Sequence, residues 1–160
     1  MGLSEKVKVK KISNHQSIFL LESVFKDEIL IDFRDELKFL GRPTRESLQI
    51  SFDKHVDGTP NNVAFLNHEC EPTSYFDAQE LCIKSMRDLD EGAEITVNYL
   101  ATEYDMSNKF ECDCGAENCY TVINGFKYLS DQERARIKHL AAYLEHSLGV
   151  NSVGGIKERV

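Results

Sequence analysis

The sequence of 160 residues lacks the features that place a protein in a membrane or on the secretory route. No stretch is apolar over the roughly 18 residues that a membrane-spanning helix needs. The opening residues, MGLSEKVKVK, contain no apolar signal-peptide region, and Lys6 stands where an N-myristoylation signal has Ser or Thr. An N-x-[ST] acceptor for N-glycosylation is also absent. These absences predict an intracellular protein, cytoplasmic or nuclear, without a membrane partner.

Positive charge is in short supply, because 19 Lys and Arg residues stand against 27 Asp and Glu residues and leave a net charge of −8. Proteins that bind nucleic acids neutralise phosphates with Lys and Arg, so this balance argues against a direct nucleic-acid partner. It favours a basic partner or substrate, although acidity also serves solubility. The single basic run, KVKVKK (6–11), alternates with valines and predicts the solvent face of a strand. No feature of the sequence indicates an oligomeric state.

Internal repeats and low-complexity segments are absent as well, and the length is that of one domain with its own core. Short apolar runs with alternating or β-branched residues predict strands where polar turns bound them. These runs are KVKVKKI (6–12), SIFLLESV (17–24), DEILIDF (27–33), LCIKSM (81–86) and EITVNYL (94–100). We predict one or two helical turns for TRESLQIS (44–51), with Thr44 as a cap, and a loop for DGTPNN (57–62).

A single long helix is predicted over SDQERARIKHLAAYLEHSL (130–148). Ser130 and Glu133 have the spacing of a capping box. Apolar residues repeat at helical spacing on one face. They are Ile137, Leu140, Ala141, Leu144 and Leu148. The tail after Gly149 is expected to fray. The predicted fold class is therefore a mainly β domain (α+β) that a C-terminal helix closes.

The cysteines are five in number, and an odd count in a chain without a signal peptide argues against a disulfide framework. Cys112, Cys114 and Cys119 form CDCGAENC, a C-x-C-x4-C motif whose thiolates can point at one centre. Three thiolates need a fourth ligand to complete a tetrahedral zinc site. Cys82 lies in an apolar run and is interpreted as a buried structural cysteine, whereas Cys70 lies in a polar turn.

A structural zinc ion is the favoured interpretation of the remaining four thiols. The predicted ligands are Cys70, Cys112, Cys114 and Cys119. Four thiolates leave no coordination position for water, so this metal would stabilise the fold and not catalyse. The alternatives are free, reduced thiols or an iron–sulfur cluster, although the spacing matches none of the usual cluster motifs. Zinc would join the turn FLNHECEP (65–72) to a much later segment and bring Asn67, His68 and Tyr99 near one another.

Three motifs in this order resemble the signature of SET-domain methyltransferases. FLNHECEP matches N-H-x-C-x-P, DEGAEITVNY matches G-x-E-[IL]-T-x-x-Y, and FECDCGAENC matches the post-SET motif C-x-C-x4-C. They span residues 65–119, and VFKDEIL (24–30) extends a weaker similarity toward the amino terminus. The sequence is thus similar to S-adenosylmethionine-dependent protein-lysine N-methyltransferases that carry a post-SET zinc motif.

The resemblance implies a SET-domain-like fold of small sheets with a pseudoknot, in which the Tyr-bearing segment threads past the NHEC segment. It divides the chain into a SET domain (1–105), a post-SET zinc-binding segment (106–124), and a C-terminal helix and tail (125–160). It also implies S-adenosylmethionine as the methyl donor. The implied acceptor is a lysine side chain of a protein, for example on a basic tail.

The resemblance also implies roles for individual residues. Tyr99 corresponds to the catalytic tyrosine, and Asn67 and His68 correspond to cofactor contacts. Gln16, in an early loop, and Phe110, just before the thiolate cluster, are further cofactor-binding candidates, and Phe110 is also a candidate for the lysine channel. Methyl transfer to an amine is an in-line displacement that depends on positioning. Since the ordinary pKa of tyrosine is about 10, Tyr99 suits an orienting role better than that of a strong base.

Several positions depart from the family pattern. His15 and Ser17 replace a G-x-G pair that allows close backbone approach to the cofactor, and Asp27 stands where glycine is common. Glu69 replaces a small residue, and Thr73 replaces an Asn. We expect these changes to affect cofactor affinity more than the fold, with side chains at 15 and 17 crowding the methionine end of the cofactor.

Two alternatives to a protein-lysine methyltransferase stay open at this point. The first is a zinc-stapled SET-like binding or scaffold domain with a degenerate cofactor pocket, which the loss of the G-x-G glycines favours. The second is a SET-like enzyme that acts on a small-molecule amine. The short segment 35–58, where the family often has a longer insert that shapes the peptide groove, favours the second alternative.

Overall fold

The computed structural model describes residues 5–60 and 62–148, and this part of the chain is built mainly from short strands. The strands are β1 (Val7–Ile12), β2 (His15–Leu20), β3 (Ile29–Asp32), β4 (Phe39–Leu40), β5 (Ser47–Ser51), β6 (Lys54–Asp57), β7 (Asn67–His68), β8 (Ser74–Asp77), β9 (Cys82–Ser85), β10 (Glu94–Val97), β11 (Phe110–Glu111) and β12 (Val122–Ile123). The helical elements are 3-10 helices at Val63–Phe65, Tyr99–Ala101 and Phe126–Tyr128, helix α1 (Asp131–Ala135), and helix α2 (142–148). The predicted mainly β fold class is confirmed.

The strands form four small sheets. Their orders are β1-β2-β10-β7, β3-β9-β8, β4-β6-β5 and β11-β12. Neighbouring strands pair antiparallel, except that β7 and β10 run parallel. A parallel pair requires a long crossover, and here the crossover contains β8 and β9. The first sheet therefore joins residues from the start of the chain to two later segments.

The crossing of β7 and β10 has the arrangement expected of the pseudoknot. Thr96 lies opposite Asn67 and Val97 lies opposite His68. The Glu69 amide then donates to the Val97 carbonyl at 3.1 Å, which extends the pairing by one residue. As a result, the end of β10 passes directly beside the NHEC segment and leads into the turn that carries Tyr99.

Two hydrophobic clusters hold the fold together. The first lies between the sheets of the amino-terminal part and includes the fully buried Ile18 and Ile95. The second includes Leu100, Leu144 and the four cysteines of the predicted zinc site, and it lies among the carboxyl-terminal elements. The side chain of Tyr99 packs against both clusters, so it lies at their junction. Burial on this scale is the main stabilising contribution to a small domain.

The structure confirms the interpretation of Cys82 as a buried structural cysteine. It is fully buried on β9, where β3 and β8 pair with the strand from either side. In contrast, the helical prediction for residues 44–51 is wrong, because Ser47–Ser51 forms β5 and pairs with β6. Leu48 and Gln49 are both buried by this pairing. A strand partner distant from the local sequence thus overrides the weak local preference.

The predicted helix over residues 130–148 is also partly wrong, because it is interrupted between α1 and α2. The Ser130–Glu133 capping box is confirmed. His139 adopts a positive φ of 53°, and its ring stacks on Tyr75 with a centroid distance of 3.7 Å. The Ala141 amide then donates to the Ala101 carbonyl at 2.8 Å. These tertiary contacts replace the internal hydrogen bonds of a continuous helix.

The helices of the described ranges are short, and none of them combines the length and apolar character needed to cross a membrane. The fraying predicted for the residues after Gly149 concerns a part of the chain outside the described residues.

Candidate active site and metal centre

The four predicted thiols lie together. The sulfurs of Cys70, Cys112, Cys114 and Cys119 are all within 4.8 Å of one another. The Cys70 sulfur is 3.8 Å from that of Cys112 and 3.7 Å from that of Cys119. Zinc–sulfur bonds of about 2.3 Å at tetrahedral angles place sulfurs about 3.8 Å apart. The cluster therefore has the dimensions of a closed four-thiolate zinc site.

Backbone hydrogen bonds in the β11–β12 region orient the thiols. The Cys112 amide donates to the Thr121 carbonyl at 2.7 Å, and this bond closes the loop that carries the C-x-C-x4-C motif. Gly115 has a φ of +76°, a backbone conformation that residues other than glycine rarely adopt. It turns the chain between Cys114 and Cys119. The Tyr120 amide donates to the Cys70 sulfur at 3.4 Å. Such donors stabilise thiolates in metal sites.

His68 connects the thiol cluster to the turn after β10. Its Nδ1 accepts a hydrogen bond from the Tyr99 amide at 3.0 Å, so the ring proton lies on Nε2. Nε2 in turn is 3.3 Å from the Cys70 sulfur and donates to it. Burial lowers the pKa of His68 to about 4, which keeps the ring neutral at physiological pH. The imidazole thus bridges a predicted zinc ligand and the backbone of Tyr99.

The amide nitrogen of Asn67 is held by three acceptors. It donates to the Ser17 hydroxyl at 2.8 Å, to the Glu94 carboxylate at 3.0 Å and to the Gln16 carbonyl at 3.3 Å. The amide oxygen has no hydrogen-bond partner within residues 5–60 and 62–148. Asn67 is therefore fixed in orientation and presents an acceptor to its surroundings.

Tyr99 is fixed through its hydroxyl, which donates to the Leu66 carbonyl at 2.5 Å. Its ring centroid lies 5.2 Å from that of His68 and 6.1 Å from that of Phe110. Burial raises the pKa of Tyr99 to about 12, so the phenol stays protonated at physiological pH. Because its proton is committed to Leu66, the phenol oxygen can accept a hydrogen bond from a ligand.

A cleft of about 900 Å³ joins these groups. All five residues predicted to serve the cofactor or the reaction line it, namely Gln16, Asn67, His68, Tyr99 and Phe110. A smaller cleft of about 350 Å³ continues from it past Glu94 to Cys112 and Cys114. The structure thus places the predicted site residues on one surface, with the thiol cluster beside it.

His15 and Ser17, which replace the G-x-G pair, differ in their exposure. Ser17 is buried, and its hydroxyl turns to the Asn67 amide. His15 is exposed and lines both clefts. Asp27 has a φ of 64°, the left-handed conformation that explains why glycine is common there.

Glu69 and Thr73, the other two residues that depart from the family pattern, join the β7 and β10 segments through hydrogen bonds. The Glu69 carboxylate accepts a hydrogen bond from the Thr96 hydroxyl at 2.9 Å, so its charge is turned to β10. Thr73 donates to the Glu94 carbonyl at 2.8 Å and accepts from the Thr96 amide at 2.9 Å. Both substitutions therefore support the crossing of the two segments.

Sequence reasoning gave no role to Glu103, a buried acidic residue that lines the larger cleft. Glu103 follows the turn that carries Tyr99, and its amide donates to the Tyr99 carbonyl at 2.9 Å. Its side chain is only 8% exposed, and burial raises its pKa to about 7. It received no role because it lies in no motif and its burial depends on β5, for which a helix was predicted.

Residues 5–100 match the family model described as SET domain. The methyltransferase flvH of Aspergillus flavus is 37% identical over 67 residues, which cover 41% of this chain and 38% of that protein. Histone-lysine N-methyltransferase 2B of Homo sapiens is 34% identical over 77 residues, which cover 43% of this chain and 3% of that protein. Probable histone-lysine N-methyltransferase lin-59 of Caenorhabditis elegans is 28% identical over 134 residues, which cover 78% of this chain and 10% of that protein.

Among solved structures, the chain is similar to a crystal structure of KRYPTONITE in complex with mCHG DNA and SAH. The match has a TM-score of 0.53 and 17% sequence identity, and it covers 72% of this chain and 28% of that one. At this identity the likeness shows a common fold. The chain thus spans well under half the length of each of these related proteins.

Proposed function

This chain belongs to the SET-domain family, and on that premise we propose that it is an S-adenosylmethionine-dependent N-methyltransferase whose acceptor is a lysine side chain of a protein. One observation carries the proposal. The Tyr99 hydroxyl is fixed on the Leu66 carbonyl at the wall of the cleft that Asn67 and His68 also line. An immobile phenol beside a ligand-sized cleft is the arrangement that an in-line transfer between two bound molecules needs.

The larger cleft suits the proposed cofactor. Its volume of about 900 Å³ lies within the range of small-molecule sites. We assign the cofactor contacts to Gln16, Asn67, His68 and Phe110, and the free amide oxygen of Asn67 is an acceptor for an amino group. When bound, S-adenosylmethionine supplies a methyl group that the positive sulfonium activates. The buried Ser17 side chain is directed at Asn67, so it shapes this side of the site through that residue.

Tyr99 would orient the acceptor amine. Its phenol stays protonated because burial raises its pKa to about 12, so it is not a base at physiological pH. With its proton donated to Leu66, the phenol oxygen accepts from an amine N–H and directs the nitrogen lone pair along the cleft. The aromatic rings of His68 and Phe110 meet edge to face beside the phenol, with centroids 5.8 Å apart, and a wall of this kind, which is poor in water, favours the neutral amine.

We further propose that Cys70, Cys112, Cys114 and Cys119 bind a structural zinc ion. The sulfur separations support this assignment, and burial raises the pKa of the Cys70 thiol, so without a metal this thiol stays protonated. Four thiolates complete the coordination shell, so the ion takes no part in the transfer. Its role is to hold the NHEC segment against the post-SET segment.

The names of the relatives support a protein acceptor and a nuclear or cytoplasmic location. Two of them are histone-lysine N-methyltransferases by name, and the net charge of −8 suits a basic tail. The DNA in the solved complex is a property of that protein, and the acidity of this chain argues against direct nucleic-acid binding. We retain the division into a SET domain (1–105), a post-SET segment (106–124), and a C-terminal helix and tail (125–160).

The test is transfer of a labelled methyl group to protein extract by wild type and by Tyr99→Phe. We expect wild type to label protein and Tyr99→Phe to lose roughly 10- to 100-fold in rate, because one positioning contact is removed. Tyr128→Phe is the matched control, since Tyr128 is 46% exposed and lies outside the cleft. Calorimetry should find equal cofactor affinity in all three. If wild type binds no cofactor at millimolar concentration, the enzyme proposal fails and a scaffold domain takes its place.

A small-molecule amine is the second candidate acceptor. The fungal relative, which is 37% identical over its matched residues, is named a methyltransferase without a histone designation. The cleft also opens beside the short segment 44–48, where few residues are available to build a peptide groove. Labelling of an amine panel but not of protein extract would favour this candidate.

A further inference from the structure

Glu103 is a buried acid at the reaction cleft that the proposed roles leave unused. It is 8% exposed, it lines the same cleft as Tyr99, and its backbone is hydrogen-bonded to that residue. A buried carboxylate is costly unless hydrogen bonds or a cation compensate for the lost hydration. In the described part of the chain, no Lys, Arg or His forms an ion pair with it.

The two carboxylate oxygens of Glu103 have different surroundings. Oε1 accepts from the Gln49 amide at 2.9 Å and from the Thr102 hydroxyl at 3.3 Å. Gln49 is itself fixed, because its side chain accepts from the Tyr104 amide at 2.8 Å and donates to the Ser51 carbonyl at 3.0 Å. No residue of the described ranges donates to Oε2, which leaves this oxygen free for a ligand.

We propose that Glu103 binds the ammonium group of the acceptor and removes one of its protons, so that the amine meets the methyl donor in its neutral form. This inference rests on the proposed function. In the step, one N–H bond breaks, its electron pair stays on the nitrogen, and the proton forms an O–H bond with Oε2. The products are a neutral amine and a carboxylic acid, and a poorly hydrated site favours such a neutral pair over an ion pair.

The surroundings of Glu103 support this assignment. The titratable groups that interact electrostatically with Glu103 are Tyr99 on its own turn and Tyr143 on α2, and His55 on β6 lies opposite Gln49. The other charged or titratable residues that line the same cleft are Lys11, His15, Arg45 and Glu46. Burial raises the pKa of both phenols, and burial lowers the pKa of His55, so all three are neutral above pH 7. Burial raises the pKa of Glu103 to about 7. Among Glu103, His55 and the two phenols, Glu103 is thus the group that changes charge near neutral pH, as suits a base.

The first experiment compares wild type, Glu103→Gln and Glu22→Gln in methyl transfer to poly-L-lysine between pH 6 and pH 10. The glutamine keeps an oxygen for the Gln49 amide, so the fold is retained. Glu22 is exposed and outside the cleft, which makes it a control for the loss of one charge. We expect Glu103→Gln to keep its cofactor affinity within about twofold and to lose about 100-fold or more in rate at pH 7.5, the scale of a positioned base.

The pH profile separates a base from a structural residue. Without its base, Glu103→Gln depends on spontaneous deprotonation of lysine, so its rate should rise about tenfold per pH unit toward a pKa of about 10 and approach that of wild type at the top of the range. A profile parallel to that of wild type, or a loss of cofactor affinity equal to the loss of rate, would overturn the proposal.

A second measurement decides the matter if wild type transfers no methyl group and the proposed function fails. Saturation-transfer NMR would follow n-butylamine and its neutral analogue n-pentanol on both proteins at pH 8. We expect the amine to bind wild type at least tenfold more tightly than Glu103→Gln, and n-pentanol to bind both alike. Equal amine binding by the two proteins would refute a cation site at Glu103.

Discussion

Replacing Glu103 by Gln should raise the free energy of unfolding at pH 8, although the same change is expected to slow methyl transfer. The carboxylate is 8% exposed, and burial raises its pKa from an ordinary value of 4.5 to about 7. The folded state therefore binds the proton more tightly than the unfolded state does. Its contribution to stability is fully present below pH 4.5, declines as the pH rises through about 7, and then stays constant.

The size of the effect follows from the two pKa values. The difference between 4.5 and about 7 corresponds to about 3 kcal/mol lost at pH 8. Roughly 2 kcal/mol of that loss is already present at pH 6, so about 1 kcal/mol appears between pH 6 and pH 8. Glutamine resembles the protonated acid and does not titrate. We therefore expect its advantage over wild type to grow by about 1 kcal/mol over this range.

The assay is urea unfolding of wild type, Glu103→Gln and Glu22→Gln at pH 6, 7 and 8 with zinc present. The exposed Glu22 should show no pH-dependent difference from wild type. An advantage of Glu103→Gln that stays constant from pH 6 to pH 8, or a variant less stable than wild type at pH 8, would refute the buried-charge reasoning. An acid kept at a stability cost beside a cleft is the pattern expected of a functional group.

Three further predictions concern the metal, the core and the cofactor side of the cleft. Metal analysis should find one zinc ion per chain in wild type but a substoichiometric amount in Cys70→Ser, which lacks one of the four predicted ligands. Cys82→Ser is the control and should keep one zinc ion, because Cys82 is buried on β9 and is not part of the cluster. Equal zinc in all three proteins would contradict the ligand set. Leu144→Ala should cost about 3 kcal/mol in urea unfolding, since Leu144 is fully buried, whereas Leu21→Ala, at a side chain 41% exposed, should cost much less; similar losses would argue against the packing of α2. Ser17→Ala removes the acceptor 2.8 Å from the Asn67 amide and should weaken cofactor binding several-fold by calorimetry, with unchanged or tighter binding as the contrary result.

The sequence was sufficient for the parts of the fold and site whose signals are local. The alternating run that became β1, the apolar run around β10 and the Ser130–Glu133 capping box all lie within a few residues, and each is found in the structure. The four thiols were identified by the coordination number of zinc, which is a chemical constraint independent of the chain path. The three motifs, found in the expected order, then predicted the SET-domain-like fold.

The errors arose where a distant partner decides the local structure. Residues 47–51 carry a weak helical pattern but pair with β6, and this pairing was not predicted because the sequence analysis placed no strand over residues 54–57. The helix over residues 130–148 breaks where His139 stacks on Tyr75, which is more than sixty positions away in the sequence. Glu103 was given no role for the same reason, because its carboxylate accepts a hydrogen bond from the backbone amide of Gln49, a residue of the unpredicted strand β5.

The hydrogen bonds of His68 link the predicted zinc site to the turn that carries Tyr99. A zinc ion would hold the Cys70 sulfur as a thiolate, and a thiolate is the stronger acceptor for the Nε2 proton of His68. That bond leaves Nδ1 as the acceptor for the Tyr99 amide, which sets the start of the turn that carries the phenol.

Loss of the metal would affect this pathway before it affected the amino-terminal sheets, because their core contains none of the four thiols. A protonated Cys70 is a weaker acceptor for the Nε2 proton of His68, so the imidazole would hold the Tyr99 amide less firmly. The metal-free protein should therefore retain β1 to β10 and hold the Tyr99 backbone less firmly, while the Leu66 carbonyl still accepts from the Tyr99 hydroxyl. Two hydrogen bonds thus connect the predicted metal site to the backbone of Tyr99.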